Sequence, residues 1–126
     1  MIIRDIYALS SNDSTKFADW GAYRLERKYL EGRAPDRVWK ADPWLDDNET
    51  LEPNDYNDAS KLYNYDRGHM APLASFKGSD VAAETNYLSN ITPQNSNLNR
   101  GPWKRLEDME RKLLDSYEMI YVMTGT

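Results

Sequence analysis

The stretch from Pro102 to Met123 constrains this chain more than any other. Trp103, Leu106, Met109, Leu113 and Tyr117 recur at three- and four-residue spacing, with Leu114 beside them, which predicts an amphipathic helix over residues 102–117. Pro102 suits its first turn, where a missing N–H has no partner to lose. Lys104 with Asp108, Glu107 with Arg111, and Asp108 with Lys112 stand four apart with opposite charge and mark the solvated side. EMIYVMT, residues 118–124, follows with strand composition. A helix with one apolar stripe must lay it on another layer, and a neighbouring strand supplies a sheet. The expectation is therefore an α+β fold, an antiparallel central sheet with the helix stripe packed on it.

Upstream, IIRDIYAL (residues 2–9) reads as a strand bounded by the turn formers Ser10, Ser11, Asn12 and Asp13. Residues 17–30 fit either a helix or a half-buried strand, and Gly21 with its aromatic neighbours favours the strand. Residues 31–60 show no period. Pro35, Pro43 and Pro53 punctuate them, and Trp39, Trp44, Leu45, Leu51 and Tyr56 are spaced like anchors of a long ordered loop. Ser79 reads as the N-cap of a short helix over 79–86. No repeat or Gly/Ser linker divides the 126 residues, so residues 1–126 read as one domain without an internal boundary.

With no cysteine, disulfides, thiolate zinc sites and Cys nucleophiles are excluded. No apolar run reaches the roughly 20 residues of a spanning helix. The formal charge of -5 is unevenly spread. Residues 42–60 hold seven carboxylates and no Lys or Arg, leaving sixteen cations against fourteen carboxylates elsewhere. Residues 24–40 are locally basic, through Arg24, Arg27, Lys28, Arg33, Arg37 and Lys40. An acidic total thus leaves room for a polyanionic substrate at a local patch.

The sole histidine, His69, stands in Asp66-Arg67-Gly68-His69. A hydrogen-bonded structural role is the plain reading of any one histidine. Here an Arg two residues away offers a fork for phosphate oxygens, Gly68 allows close approach, and a neutral imidazole is the natural general base near pH 7. Downstream, Asn86, Asn90, Thr92, Gln94, Asn95, Asn97 and Asn99 make an amide-rich segment, most of it explicable as turn formers. Asn99 precedes the Pro102 helix, where a hard cation could take one side-chain carbonyl and keep its waters. Glu107 reads either as an ion-pair partner of Arg111 or as a group that holds one of those waters.

DRGHMAPLAS (66–75), NYLSNITPQNSNLNRGPW (86–103) and RLEDMERKL (105–113), led by TKFADW (15–20) and RVWKADP (37–43), resemble the DNA/RNA non-specific endonuclease family, whose active site is a ββα-metal motif. The resemblance implies a magnesium-dependent endonuclease that hydrolyses DNA and RNA with little sequence preference and leaves 5′-phosphates. It implies that His69 activates the attacking water, that Asn99 is the direct protein ligand of Mg2+ (Mn2+ being the alternative ion), and that Glu107 supports the hydrated metal. Arg67 and Arg37 would serve the phosphate, and Asn90 the active-site arrangement.

Family members are considerably longer, so the resemblance covers their motif-bearing portion and implies a chain truncated relative to the family. Strand 118–124 is too apolar for an unprotected edge, and the expectation is a second polypeptide that completes the domain, ahead of a homodimer. The competing expectation for function is a catalytically incomplete module that binds nucleic acid or a partner protein. The family resemblance points to a secreted or periplasmic location, although Met1–Asp5 lacks the basic-then-apolar pattern of a signal sequence.

Overall fold

A computed structural model describes residues 1–126. Four strands form an antiparallel sheet in the order β1 (Ile2–Ile3), β2 (Ala8–Ser11), β3 (Ala18–Glu26) and β6 (Met119–Gly125). A separate hairpin pairs β4 (Tyr65–His69) with β5 (Ile91–Asn95). Between β3 and β4 lies α1 (Ala59–Tyr63). After β5 the chain enters a helix of three consecutive pieces: α2 (Ser96–Leu98), a π-turn over Asn99–Trp103, and α3 (Lys104–Leu113). The fold is α+β, and β4, β5 and the helix form a ββα unit set against the main sheet.

The core lies under that sheet. Leu9 and Leu25 are fully buried with Phe76, whose ring meets Tyr23 edge-on at 5.6 Å. Met70, Ala71 and Leu73 join the same cluster, so the chain leaving His69 is packed directly on the sheet. A smaller cluster of Tyr56, Leu88 and Ile91 supports the hairpin, with Trp39 and Leu51 packed against it. Gly68 is required by contact rather than by conformation. A Cβ there would sit 2.7 Å from Cβ of Gln94, too close for either strand to remain in place.

Several local expectations change. Residues 2–9 are two strands, because the chain turns at Arg4 N–H to Tyr7 C=O (2.9 Å) and buries the Arg4 side chain. That guanidinium pairs with Asp42 at 2.5 Å and stacks on Trp44 at 3.9 Å from the ring centre. Ser10 and Ser11 belong to β2 instead of the turn. Residues 17–30 do form a strand, β3, followed by a 3-10 turn at Arg27–Tyr29. The short helix expected at 79–86 is a 3-10 segment, Ala82–Asn86, and Ser79 Oγ accepts only from Val81 N–H, ahead of it. Helix α1 has no counterpart in the sequence reading, since its five residues carry no periodic apolar pattern.

The long helix starts earlier than expected and faces the other way. Asn95 caps it, its Oδ1 accepting from Asn97 and Leu98 N–H, and Pro102 falls inside the π-turn. Asn99 therefore lies within the helix instead of before it. Leu106, Met109, Leu113 and Tyr117 are 39%, 53%, 40% and 60% exposed, so the stripe expected to cover the sheet faces outward. The inward side carries Glu110 and Leu114, because Tyr23 Oη donates to Glu110 Oε2 (2.8 Å) and Arg111 donates to Ser75 Oγ (3.0 Å). Polar inward groups are satisfied by these bonds, which spacing alone could not reveal. Of the three expected i,i+4 pairs, only Lys104–Asp108 forms, while Arg111 pairs with Asp108.

Strand β6 has one free edge. β6 pairs only with β3, and its Met119, Tyr121 and Met123 are exposed while Ile120 and Val122 pack on the core. The burial pattern predicts unequal mutational costs. Leu9→Ala should destabilise by about 2–5 kcal/mol, the range for a buried Leu, whereas Leu106→Ala should cost well under half as much. Equal losses in denaturant unfolding would show that the Leu106 face is covered in solution.

Candidate active site

The site is assembled at the junction of β4, the helix and the 37–40 segment. Main-chain bonds from Lys40 N–H to Asn86 C=O (3.5 Å) and from Leu88 N–H to Lys40 C=O (2.8 Å) hold that segment beside residues 86–88. Trp39 is thereby placed between two sequence-predicted residues, its ring 5.5 Å from that of His69 and 5.5 Å from the Arg67 guanidinium. Residues 65, 67 and 69 share one face of β4 by strand alternation. Tyr56 flanks Arg67 as well, at 5.2 Å.

His69 is half-buried, and its Nε2 meets Asn86 Oδ1 at 3.1 Å. With the amide oxygen in that place Nε2 carries the proton, leaving the Nδ1 lone pair as the basic position. Burial chiefly, and the Arg37 cation secondarily, pull the imidazole from its ordinary 6.5 to about 4, against the opposing effect of Asn86. The ring is thus neutral at pH 7, the form a general base requires.

Arg37, Arg67 and Asn99 line one cavity of about 640 Å3. No carboxylate lies within ion-pair distance of either arginine. Arg67 spends one N–H on Pro53 C=O at 3.4 Å, and its Nε is buried without a partner. Two guanidinium groups without a counter-ion are suited to an oxyanion.

Asp66, on the other side of β4, organises the start of the helix. Its carboxylate accepts from Ser96 Oγ (2.9 Å), Asn99 Nδ2 (2.9 Å), and Arg100 Nε and a terminal N–H (2.8 and 2.7 Å). The Arg100 bonds above all hold it at about 2, below its ordinary 3.8. Because Asn99 spends its NH2 on Asp66, its Oδ1 is left as a free acceptor, and no protein donor meets it. No group of three His, Cys, Asp or Glu side chains is placed to hold a metal. A hydrated hard cation on a single amide oxygen fits this donor set, whereas an all-protein cage does not.

Glu107 lies two turns farther along. Burial, with Glu110 adding to it and Arg111 opposing, raises its carboxyl to about 7. A carboxyl so poised gains from a nearby cation, which favours its charged form. Asn90 is wholly buried and does not line that cavity. Its amide accepts from Ala71 N–H and donates to the carbonyls of Ala71 and Thr85, fixing the chain just after His69. The structure therefore brings Arg37, Arg67 and Asn99 to one cavity and His69 to its Trp39 wall, while Asn90 and Glu107 are not among the residues that line it.

Three contributors escaped the sequence reading. Asn86 was visible only as one amide among many, and its pairing with His69 spans 17 residues. Trp39 passed for a loop anchor. Arg111 passed for a surface partner of Glu107, but its side chain is 17% exposed and ties the helix to Ser75.

The family model for DNA/RNA non-specific endonucleases matches residues 2–126, and the chain belongs to that family of ββα-metal nucleases. It is 48% identical over 126 residues to a nuclease of Serratia marcescens, covering 98% of this chain and 47% of that one. With human mitochondrial endonuclease G it shares 34% over 123 residues, covering 97% and 41%. The solved EndoG in complex with EndoGI superposes with a TM-score of 0.86 at 30% identity, over 98% of this chain and 51% of that one. The chain thus spans about half the length of the relatives it matches.

The single imidazole makes the electrostatics measurable. At His69 the unfolded chain binds more protons than the folded one between about 4 and 6.5, so the stability due to this ring is complete above 6.5 and lost as pH falls toward 4. The ring resonances of His69 should titrate near 4 by proton NMR. Arg37→Gln should raise that midpoint by removing a cation, and Asn86→Asp should raise it by adding a carboxylate. A native midpoint at or above 6.5 would contradict the desolvated placement of the ring.

Proposed function

We propose that this protein is a magnesium-dependent endonuclease that hydrolyses phosphodiester bonds of DNA and RNA with little sequence preference, leaving 5′-phosphates. The observation that carries the reading is the His69 ring held against Trp39, which Arg67 also meets, on the wall of a cavity lined by Arg37, Arg67 and Asn99, whose amide oxygen has no protein partner. His69 Nδ1 takes a proton from water, and that water attacks the phosphorus. Arg67 and Arg37 hold the non-bridging oxygens and oppose the charge that builds on them. Asn99 would hold Mg2+, or Mn2+ in its place, and Glu107 would hold one of the waters around it. The ion, when bound, supplies Lewis-acid stabilisation for the phosphate oxygens and the leaving 3′ oxygen. Asn90 keeps the His69 exit in place without touching substrate. Contacts directed at phosphates rather than base edges account for the weak sequence preference.

The open face belongs to the same reading. The free β6 edge and the exposed apolar side chains of that strand suit pairing with further strands.

Chelator-sensitive cleavage of supercoiled plasmid and single-stranded RNA by a folded preparation is the direct test. His69→Ala should lower turnover by two orders of magnitude or more. Asn99→Ala should weaken magnesium dependence and turnover more than Glu107→Ala does, because its contact is direct. If His69→Ala left processing intact while Arg37→Ala abolished binding, the protein would be a nucleic-acid-binding module without catalysis.

A further inference from the structure

We infer that the cavity beside Asn99 seats the nucleotide next to the scissile one, with Lys61 on its phosphate and Tyr65 against its base. The inference rests on the nuclease reading and extends it along β4. Residues His69, Arg67 and Tyr65 alternate on one strand face at about 6.6–6.8 Å per pair of residues, close to the length of one extended nucleotide. His69 is at the reacting end of this row and Arg67 is the phosphate-facing step. Tyr65 is the next step, 44% exposed, and is a wall of the cavity together with Lys61.

Charge and rigidity support the assignment. Asp58 and Asp66 also line the cavity, but Asp66 is matched by its bidentate Arg100. Arg37, Lys61 and Arg67 therefore face the single uncompensated carboxylate of Asp58, and no ion pair engages Lys61. The backbone that carries Lys61 is fixed. Helix α1 ends at Asn64 in the left-handed region (φ 57°), whose C=O accepts from Ser96 N–H at 2.8 Å. Ser96 is the residue whose hydroxyl reaches Asp66, so the Lys61 wall and the Asn99 wall share one support. A volume of about 640 Å3 lies within the roughly 300–1,000 Å3 of ligand cavities. A base stacked on an exposed Tyr is a sequence-tolerant contact, compatible with a non-specific enzyme.

Binding of a fluorescent single-stranded oligonucleotide, followed by anisotropy in excess chelator across a salt series, separates this subsite from catalysis. Lys61→Gln should weaken binding several-fold and reduce the slope of log affinity against log salt by about 0.7, the loss of one phosphate contact. Tyr65→Ser should weaken binding of the normal strand several-fold but not of an abasic strand, and Tyr65→Phe should restore it. Unchanged slope in Lys61→Gln, or equal loss on normal and abasic strands in Tyr65→Ser, would overturn the subsite while the wild-type protein still cleaves. Failure of the wild-type protein to bind the strand at all would overturn both the subsite and the reading beneath it.

Discussion

The Asp66 carboxylate is the interaction on which the ββα unit depends. Both its oxygens are occupied, by Ser96, Asn99 and the two-pronged Arg100, so one side chain on β4 fixes the first turns of the helix. Charge-assisted bonds of this kind are the stronger class, although the exposed Arg100 arm is partly screened. Fixing the Asn99 NH2 decides which end of that amide is free. The carbonyl oxygen is left over, and an oxygen acceptor is what a hard cation takes. The π-turn then absorbs Pro102 without a break, because proline supplies no N–H there to be satisfied.

A second constraint sets the imidazole. The imidazole lies against Trp39, bonded to Asn86, near an unpaired Arg37, and all three keep it in place while burial keeps it uncharged. The same surroundings leave Arg67 between two aromatic rings without a counter-ion. Holding cations unpaired costs stability, and the packed Met70–Phe76 segment and the Asn90 amide hold the strand end against that cost. Burial of Arg4 on Asp42 does similar work at a distance, tying the acidic loop to the sheet, so part of that loop's negative charge is neutralised inside the protein.

Much of this was legible in the residues. Local composition identified β3 and β6, and the DRGH stretch and the amide-rich segment placed His69, Arg67 and Asn99 on elements that do converge. What failed were inferences about partners far apart in sequence. Periodicity located the helix but not its inward face, because Tyr23, 87 residues from Glu110, decides which side is satisfied within. The chain at Arg4 looked like continuous strand because its buried acid partner is 38 residues away. Asn86 and Trp39 carried no signal that separated them from turn formers and loop anchors. The apolar stripe expected to lie on the sheet faces outward instead.

The central claim is that one amide oxygen at the β4–helix junction is the seat of a catalytic cation. A magnesium titration followed by NMR on the side-chain amide of Asn99 and the ring of His69 tests it most directly. The account predicts a saturable shift of the Asn99 NH2 signals, a smaller change at His69, and loss of both in Asn99→Ala while the fold persists. Saturable shifts confined to the acidic loop of residues 46–58, with Asn99 unmoved, would contradict it.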